Sequence, residues 1–147
     1  MNEKILKGIK LTNYKFINKP LVVGGLALEH YNIRETTHDY DYMVSPSDWI
    51  ELKKIHPDKI NLFGGKNEKD VDATINLKEN PIDLISTLFQ FNYNSLVKNS
   101  IDFPEYKIIS IANLLLTKTL GAVYNKDPKS INDQKLIVDK IVELQYN

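Results

Sequence analysis

Apolar positions at Ile5, Leu6, Ile9 and Leu11 recur at helical spacing and continue to Tyr14, before Asn18-Lys19-Pro20 breaks the chain. Leu21-Val22-Val23 then predicts a short strand that stops at Gly24-Gly25. Leu26 to Tyr31 predicts a helix closed by Asn32, a residue that tolerates the left-handed conformation ending helices. Acids alternate with apolar or aromatic residues from Asp39 to Val44, the period of a strand, and Ser45-Pro46 ends it. Pro46-Ser47-Asp48 opens a helix through Trp49, Leu52 and Ile55. Ile60 to Phe63 is a further short strand and Gly64 to Asp70 a polar loop. Val71 to Leu77 and Ile82 to Ile85 predict a β-hairpin joined by Lys78-Glu79-Asn80-Pro81. Phe89 to Phe103 is rich in asparagine and aromatics, and its weak periodicity assigns no element.

Toward the C-terminus, Ser110 caps an apolar helix from Ile111 to Tyr124. Ser130-Ile131-Asn132-Asp133 fits a capping box, with an acid replacing the usual Glu or Gln, that opens a last helix. Ile137, Val138, Ile141 and Leu144 are expected on its apolar face. Short strands interleaved with helices predict an α/β (α+β) fold: a short mixed β-sheet flanked by helices, with C-terminal helices, in a single domain over residues 1–147.

Composition narrows the function classes more than the fold. The formal net charge is zero with 19 basic and 19 acidic residues, so no overall positive field would hold nucleic acid or an anionic membrane. Arg34 is the only arginine among the basic residues, which marks it for attention. Cysteine is absent, which removes thiol nucleophiles, zinc–thiolate sites and disulfides. No apolar run reaches the roughly 20 residues that span a bilayer, and the first residues lack the apolar core of a signal peptide. A cytoplasmic protein with no membrane partner is expected.

The chemistry concentrates in four places. On a strand, Asp39 and Asp41 would share one face while Tyr40 and Tyr42 point to the other. Two like charges side by side call for a positive partner, and hard Mg2+ prefers oxygen donors, usually one or two carboxylates together with substrate phosphates. Alone, Asp-x-Asp is a weak motif, and solubilising charges on an exposed strand edge are its usual explanation. Gly24-Gly25, between strand and helix, lets the backbone approach an anion such as phosphate. Alone, it is also an ordinary tight turn. Asp83 is an acid within an apolar strand, where a buried charge needs a partner or an exposed face.

In this order the residues resemble the small nucleotidyltransferases of the DNA polymerase beta superfamily, including their antibiotic-modifying and toxin–antitoxin types. Val22 to Leu28 carries the Gly-Gly turn, and Arg34-Glu35-Thr36-Thr37-His38-Asp39-Tyr40-Asp41 is similar to their Arg-x-Thr-x-Asp-x-Asp strand, with Arg34 one residue further upstream. Asp83 looks like their third carboxylate. Ser110 to Lys118 is similar to their Ser-Leu-Glu-Asp-Leu-x-x-x-Lys helix with Asn113 in place of an acid, and Lys129 to Asp133 to their Lys-Asp-x-x-Asp segment with Ser130 in place of one.

The resemblance implies a nucleotidyltransferase fold and an enzyme that moves a nucleoside monophosphate from a nucleoside triphosphate such as ATP to a hydroxyl. It implies two Mg2+ ions, about 3.5–4 Å apart in such sites. Asp39 and Asp41 would bridge them and Asp83 would complete the acceptor side and act as base. Gly24, Gly25, Arg34, Thr37 and Lys118 would bind the nucleotide. The acceptor implied is a protein, a tRNA end or a small hydroxylated molecule, and a homo-oligomer or partner protein could complete the acceptor site. The competing expectation is an inactive nucleotide-binding or toxin–antitoxin-type interaction module of the same fold. Convergence of Asp83 with Asp39 and Asp41 is the feature that separates the two.

Overall fold

A computed structural model describes residues 2–36, 39–63, 72–77, 79 and 81–146. The first apolar pattern is helix α1 (Glu3–Leu11), begun by Asn2, whose side chain accepts the Lys4 amide at 2.9 Å. β1 (Leu21–Val22) follows, then α2 (Gly24–His30), which takes the glycine pair into its first turn instead of starting after it. β2 (Tyr40–Met43) leads through the Ser45 cap into α3 (Pro46–Ile55), where Ser45 Oγ accepts the Asp48 amide. β3 (Ile60–Phe63), β4 (Asp72–Leu77) and β5 (Ile82–Ile85) complete the first half. Thr37, His38, the predicted loop at 64–70, Val71 and the turn positions Lys78 and Asn80 lie outside the described residues.

The stretch without an assignable period, Phe89 to Phe103, holds two short strands and a helical turn, and a further short strand flanks it on each side. β6 (Thr87–Leu88) and β7 (Phe91–Asn92) form their own hairpin, α4 (Tyr93–Leu96) follows, and β8 (Ile101–Asp102) and β9 (Lys107–Ile108) join the main sheet. Two-residue strands are too short to show a period, so pairing alone defines them. The chain closes with α5 (Ile111–Tyr124) and α6 (Pro128–Tyr146).

The main sheet has the order β3-β4-β5-β2-β1-β9-β8. β2 pairs parallel with β5 and antiparallel with β1, while β1 pairs parallel with β9 and β4 antiparallel with β5. The expected mixed sheet flanked by helices is therefore what forms, and the pairing of β4 with β5 is the expected hairpin. Central strands are apolar where both faces are covered: Leu21, Val22, Met43, Ile82 and Leu84 are fully buried. Leu26, Leu52, Leu114 and Ile137 bring the helices into the same core. Tyr42 is buried with its hydroxyl donating to the Ile5 carbonyl at 2.8 Å, which ties α1 to β2.

Asp48 shows how a buried charge is tolerated. Its carboxylate accepts from Tyr14 Oη (2.7 Å), the Ile17 and Asn18 amides (2.8 and 3.0 Å) and Ser45 Oγ (2.9 Å), sewing the segment before β1 to the start of α3. Burial and the Asp48 hydrogen bond push the Tyr14 hydroxyl well above its ordinary pKa.

The last helix differs from its expected form in two ways. It begins at Pro128, not Ser130, because proline suits the first helical position and the Asp127 carboxylate accepts the Lys129 amide at 3.2 Å. Its inward stripe is Ser130, Asp133 and Ile137 with half-buried Ile141, whereas Val138 and Leu144 are 42% and 57% exposed. Asp133 is therefore an inward-facing residue and not part of a capping box. Among the described residues no helix is long and apolar enough to cross a membrane.

Candidate active site

The parallel pairing of β2 with β5 sets Asp41 directly beside Asp83. Neighbours in register on adjacent strands project from the same sheet face, so two carboxylates from distant parts of the chain share one site. On its other side Asp83 is in register with Asn76 of β4, whose Nδ2 donates to Asp83 Oδ1 at 2.7 Å. That bond orients the Asp83 carboxylate and commits one of its two oxygens. Asp39 lies just ahead of β2 and is exposed, one residue short of the strand expected to carry it. Among the described residues no three acidic or histidine groups already stand in a metal-holding arrangement. The acids are thus an in-register pair with a third at the strand entrance.

Gly24 closes over Asp41. Its φ of +60° lies in the left-handed region, and a Cβ there would sit 2.5 Å from Asp41 Oδ2. Conformation and space both demand glycine at this position. Gly25 backs onto the Thr36 side chain.

Arg34 and Lys118 converge, but on a protein carboxylate. Arg34 grips Asp133 with Nε at 2.7 Å from Oδ1 and Nη2 at 3.0 Å from Oδ2, and Lys118 Nζ stands 3.1 Å from Oδ2. Asp133 is 1% exposed. Its burial works against ionisation, and the hydrogen bonds from Arg34 and Lys118 outweigh that, leaving the carboxyl below its ordinary range. Lys129, exposed at the start of α6, has no carboxylate partner among the described residues, and its charge acts on Asp41 together with that of Lys118.

Asp41 bears the electrostatic load. Burial first, then the negative charges of Asp83 and Asp39, push its pKa up to about 7, against the opposing pull of Lys118 and Lys129. A carboxylate that resists ionisation beside two others is a donor set short of positive charge. Its all-oxygen chemistry fits a hard divalent cation, which Asp41 and Asp83 could hold with Asp39 at the edge. Of the three acids, Asp41 opens into a cleft of about 510 Å³. Gly24, Asp41 and Lys118 line it, as do Phe63, Phe89 and Tyr124.

No family profile and no curated protein matches the chain. A solved structure, a candidate nucleotidyltransferase from H. pylori, aligns over 100% of this chain and 85% of its own, at 15% identity and a TM-score of 0.40. At that distance the likeness carries no argument about this site, which rests on its own geometry.

Of the residues expected in the site, Asp41, Gly24 and Lys118 line the cleft, Asp83 pairs in register with Asp41, and Asp39 lies at the entrance of β2. Arg34 is tied to Asp133, and Thr37 lies outside the described residues. Asn76 and Asp72 had no signal of their own. Asn76 declares its role only through register with Asp83, and Asp72 only through its carboxylate, which accepts the Phe89 and Gln90 amides. Asp133 carried a weak signal, since a capping acid and an ion-pairing acid look the same in one dimension.

Proposed function

We propose that this chain is a Mg2+-dependent nucleotidyltransferase that transfers a nucleoside monophosphate from a nucleoside triphosphate to a hydroxyl acceptor. The observation that carries the reading is the in-register pairing of Asp41 with Asp83, with Asp41 packed against Gly24 in the wall of a nucleotide-sized cleft. In the reaction an acceptor oxygen bonds to the α-phosphorus as the bond from that phosphorus to the bridging oxygen breaks, and pyrophosphate leaves. Bound magnesium would supply Lewis-acid charge to the phosphates and lower the pKa of the attacking hydroxyl.

Asp41 and Asp83 would hold the cations, with Asp39 contributing from the entrance of β2. Asp83 Oδ2, the oxygen that Asn76 leaves uncommitted, would accept the hydroxyl proton. Gly24 lets the backbone approach the phosphates, and Lys129 and the Lys118 ammonium oppose the charge that grows on the leaving group.

One observation favours a second reading. Arg34 and Lys118 already neutralise Asp133, which suits a nucleotide-binding module without turnover. Incubation with each labelled nucleoside triphosphate, Mg2+ and a cell lysate separates the two readings. Transfer of label that disappears in Asp41→Ala supports the enzyme and identifies its acceptor as protein, tRNA or small molecule. Binding without transfer supports the module, and transfer undiminished in Asp41→Ala overturns the assignment.

A further inference from the structure

The cleft lining is chemically mixed. Gly24, Asp41 and Lys118 contribute to it, and Phe63, Leu88, Phe89 and Tyr124 supply apolar and aromatic surface. Phe89 is the unusual member of that second group. It stands with Gln90 at the tip of the β6–β7 hairpin, where Leu88 pairs with Phe91, and both tip residues are left-handed, with φ of 49° and 66°. Two-residue hairpin turns of this kind ordinarily take Asn-Gly or Gly-Gly, because a bulky side chain is disfavoured at positive φ.

The Asp72 side chain braces the turn. The Asp72 carboxylate accepts the Phe89 amide on one oxygen and the Gln90 amide on the other, each at 2.7 Å. What this arrangement does for Phe89 is not core packing: its neighbour Leu88 packs against the core, and Phe89 does not. Its ring edge instead lies at the cleft wall near Gly121 of α5, with Cζ 3.9 Å from where a Cβ would stand. Among the described residues, neither Phe89 nor Phe63 nor Tyr124 makes a ring–ring contact. Backbone strain that persists at a cleft wall, fixed by a dedicated bidentate contact and presenting an aromatic ring that the core does not use, indicates a ring placed for a ligand.

Resting on the nucleotidyltransferase reading, we infer that Phe89 is the platform on which the nucleobase of the nucleoside triphosphate stacks, and that Asp72 is the positioning residue that aims it. Stacking accepts any flat heterocycle, so this contact supplies affinity for the nucleoside and leaves discrimination among bases to the cleft's polar lining at Thr74 and Thr87.

Calorimetric titration of the full chain with Mg2+ and ATP, GTP, CTP or UTP, and in parallel with Mg2+ and inorganic tripolyphosphate, tests this. Phe89→Gly removes the ring and relieves the turn, so its fold should hold. It should weaken nucleoside triphosphate binding roughly tenfold or more, the usual scale for a stacked base, and leave tripolyphosphate binding unchanged. Phe89→Trp should restore nucleotide binding. In an Asp72→Asn background the penalty of Phe89→Gly should shrink, which a merely structural role for Asp72 would not produce.

Wild-type chain that binds nucleotides no better than tripolyphosphate, or Phe89→Gly that binds nucleotides normally, overturns the platform and leaves the enzymatic reading standing. Failure of the wild type to bind either probe overturns both.

Discussion

Asp41 shows how one residue can set a pH dependence for the whole chain. Its folded pKa of about 7 stands above the ordinary value of 3.8 because of burial and the charges of Asp83 and Asp39. A carboxyl raised in the folded state binds a proton that the unfolded chain has already lost. Between about pH 4 and 7 the native state therefore holds more protons, and stability falls as pH rises through that window. Metal-free protein should accordingly melt at a lower temperature at pH 8 than at pH 5, and Asp41→Asn should flatten that difference. Added Mg2+ at pH 8 should raise the melting temperature of wild type and leave Asp41→Asn unmoved. Thermal scans in a pH series with and without Mg2+ measure both effects. A wild-type curve parallel to that of Asp41→Asn would show that Asp41 is not the strained group.

Packing between α5 and α6 turns on two small residues. Gly121 is buried against Ser130, and a Cβ added at Gly121 would lie 2.7 Å from Ser130 Oγ and 3.2 Å from its Cβ. In an exposed helix interior Gly→Ala stabilises by about 1 kcal/mol. Here the clash should reverse the sign, so that Gly121→Ala destabilises by about 1–3 kcal/mol, the cost of overpacking. Adding Ser130→Gly should recover much of the loss, a coupling that denaturant unfolding of the single and double variants would expose. This crossing also forms one wall of the cleft, so helix spacing and ligand space are set by the same two positions. The Ser130 hydroxyl donates to the Asp127 carboxylate at 2.9 Å, so this serine sits buried within the first turns of α6 and not at its cap.

Across the whole molecule, Asp133 binds the C-terminal helix to the segment ahead of β2 through Arg34 and to α5 through Lys118. Removing one member of a buried ion network costs about 3–5 kcal/mol because the remaining charges lose their partner. With Arg34 and Lys118 still partly reached by water, Asp133→Asn should fall at or below the lower end of that range. Since the Asp133 carboxyl is held below its ordinary range, the stability it contributes is present above about pH 4 and lost as pH falls through its folded value. Wild type and Asp133→Asn should thus converge in acid, as urea unfolding at pH 7 and pH 3 would show. Local features were legible in the chain itself. The Ser110 cap, the helix opening at Pro46, the apolar runs of β1 and β5, the alternation of β2 and the glycine pair after β1 each depend on residues only a few positions apart. Asp41, Asp83 and Gly24 could be singled out on that basis, since an acid within an apolar strand and a glycine after one are local anomalies. Tertiary structure alone decided that β2 and β5 lie parallel in the register that joins Asp41 to Asp83, that Arg34 spends its charge on Asp133, and that Asp72 holds the turn at Phe89. Register and charge partnership depend on which distant segments become neighbours, and no short-range period along the chain encodes that choice.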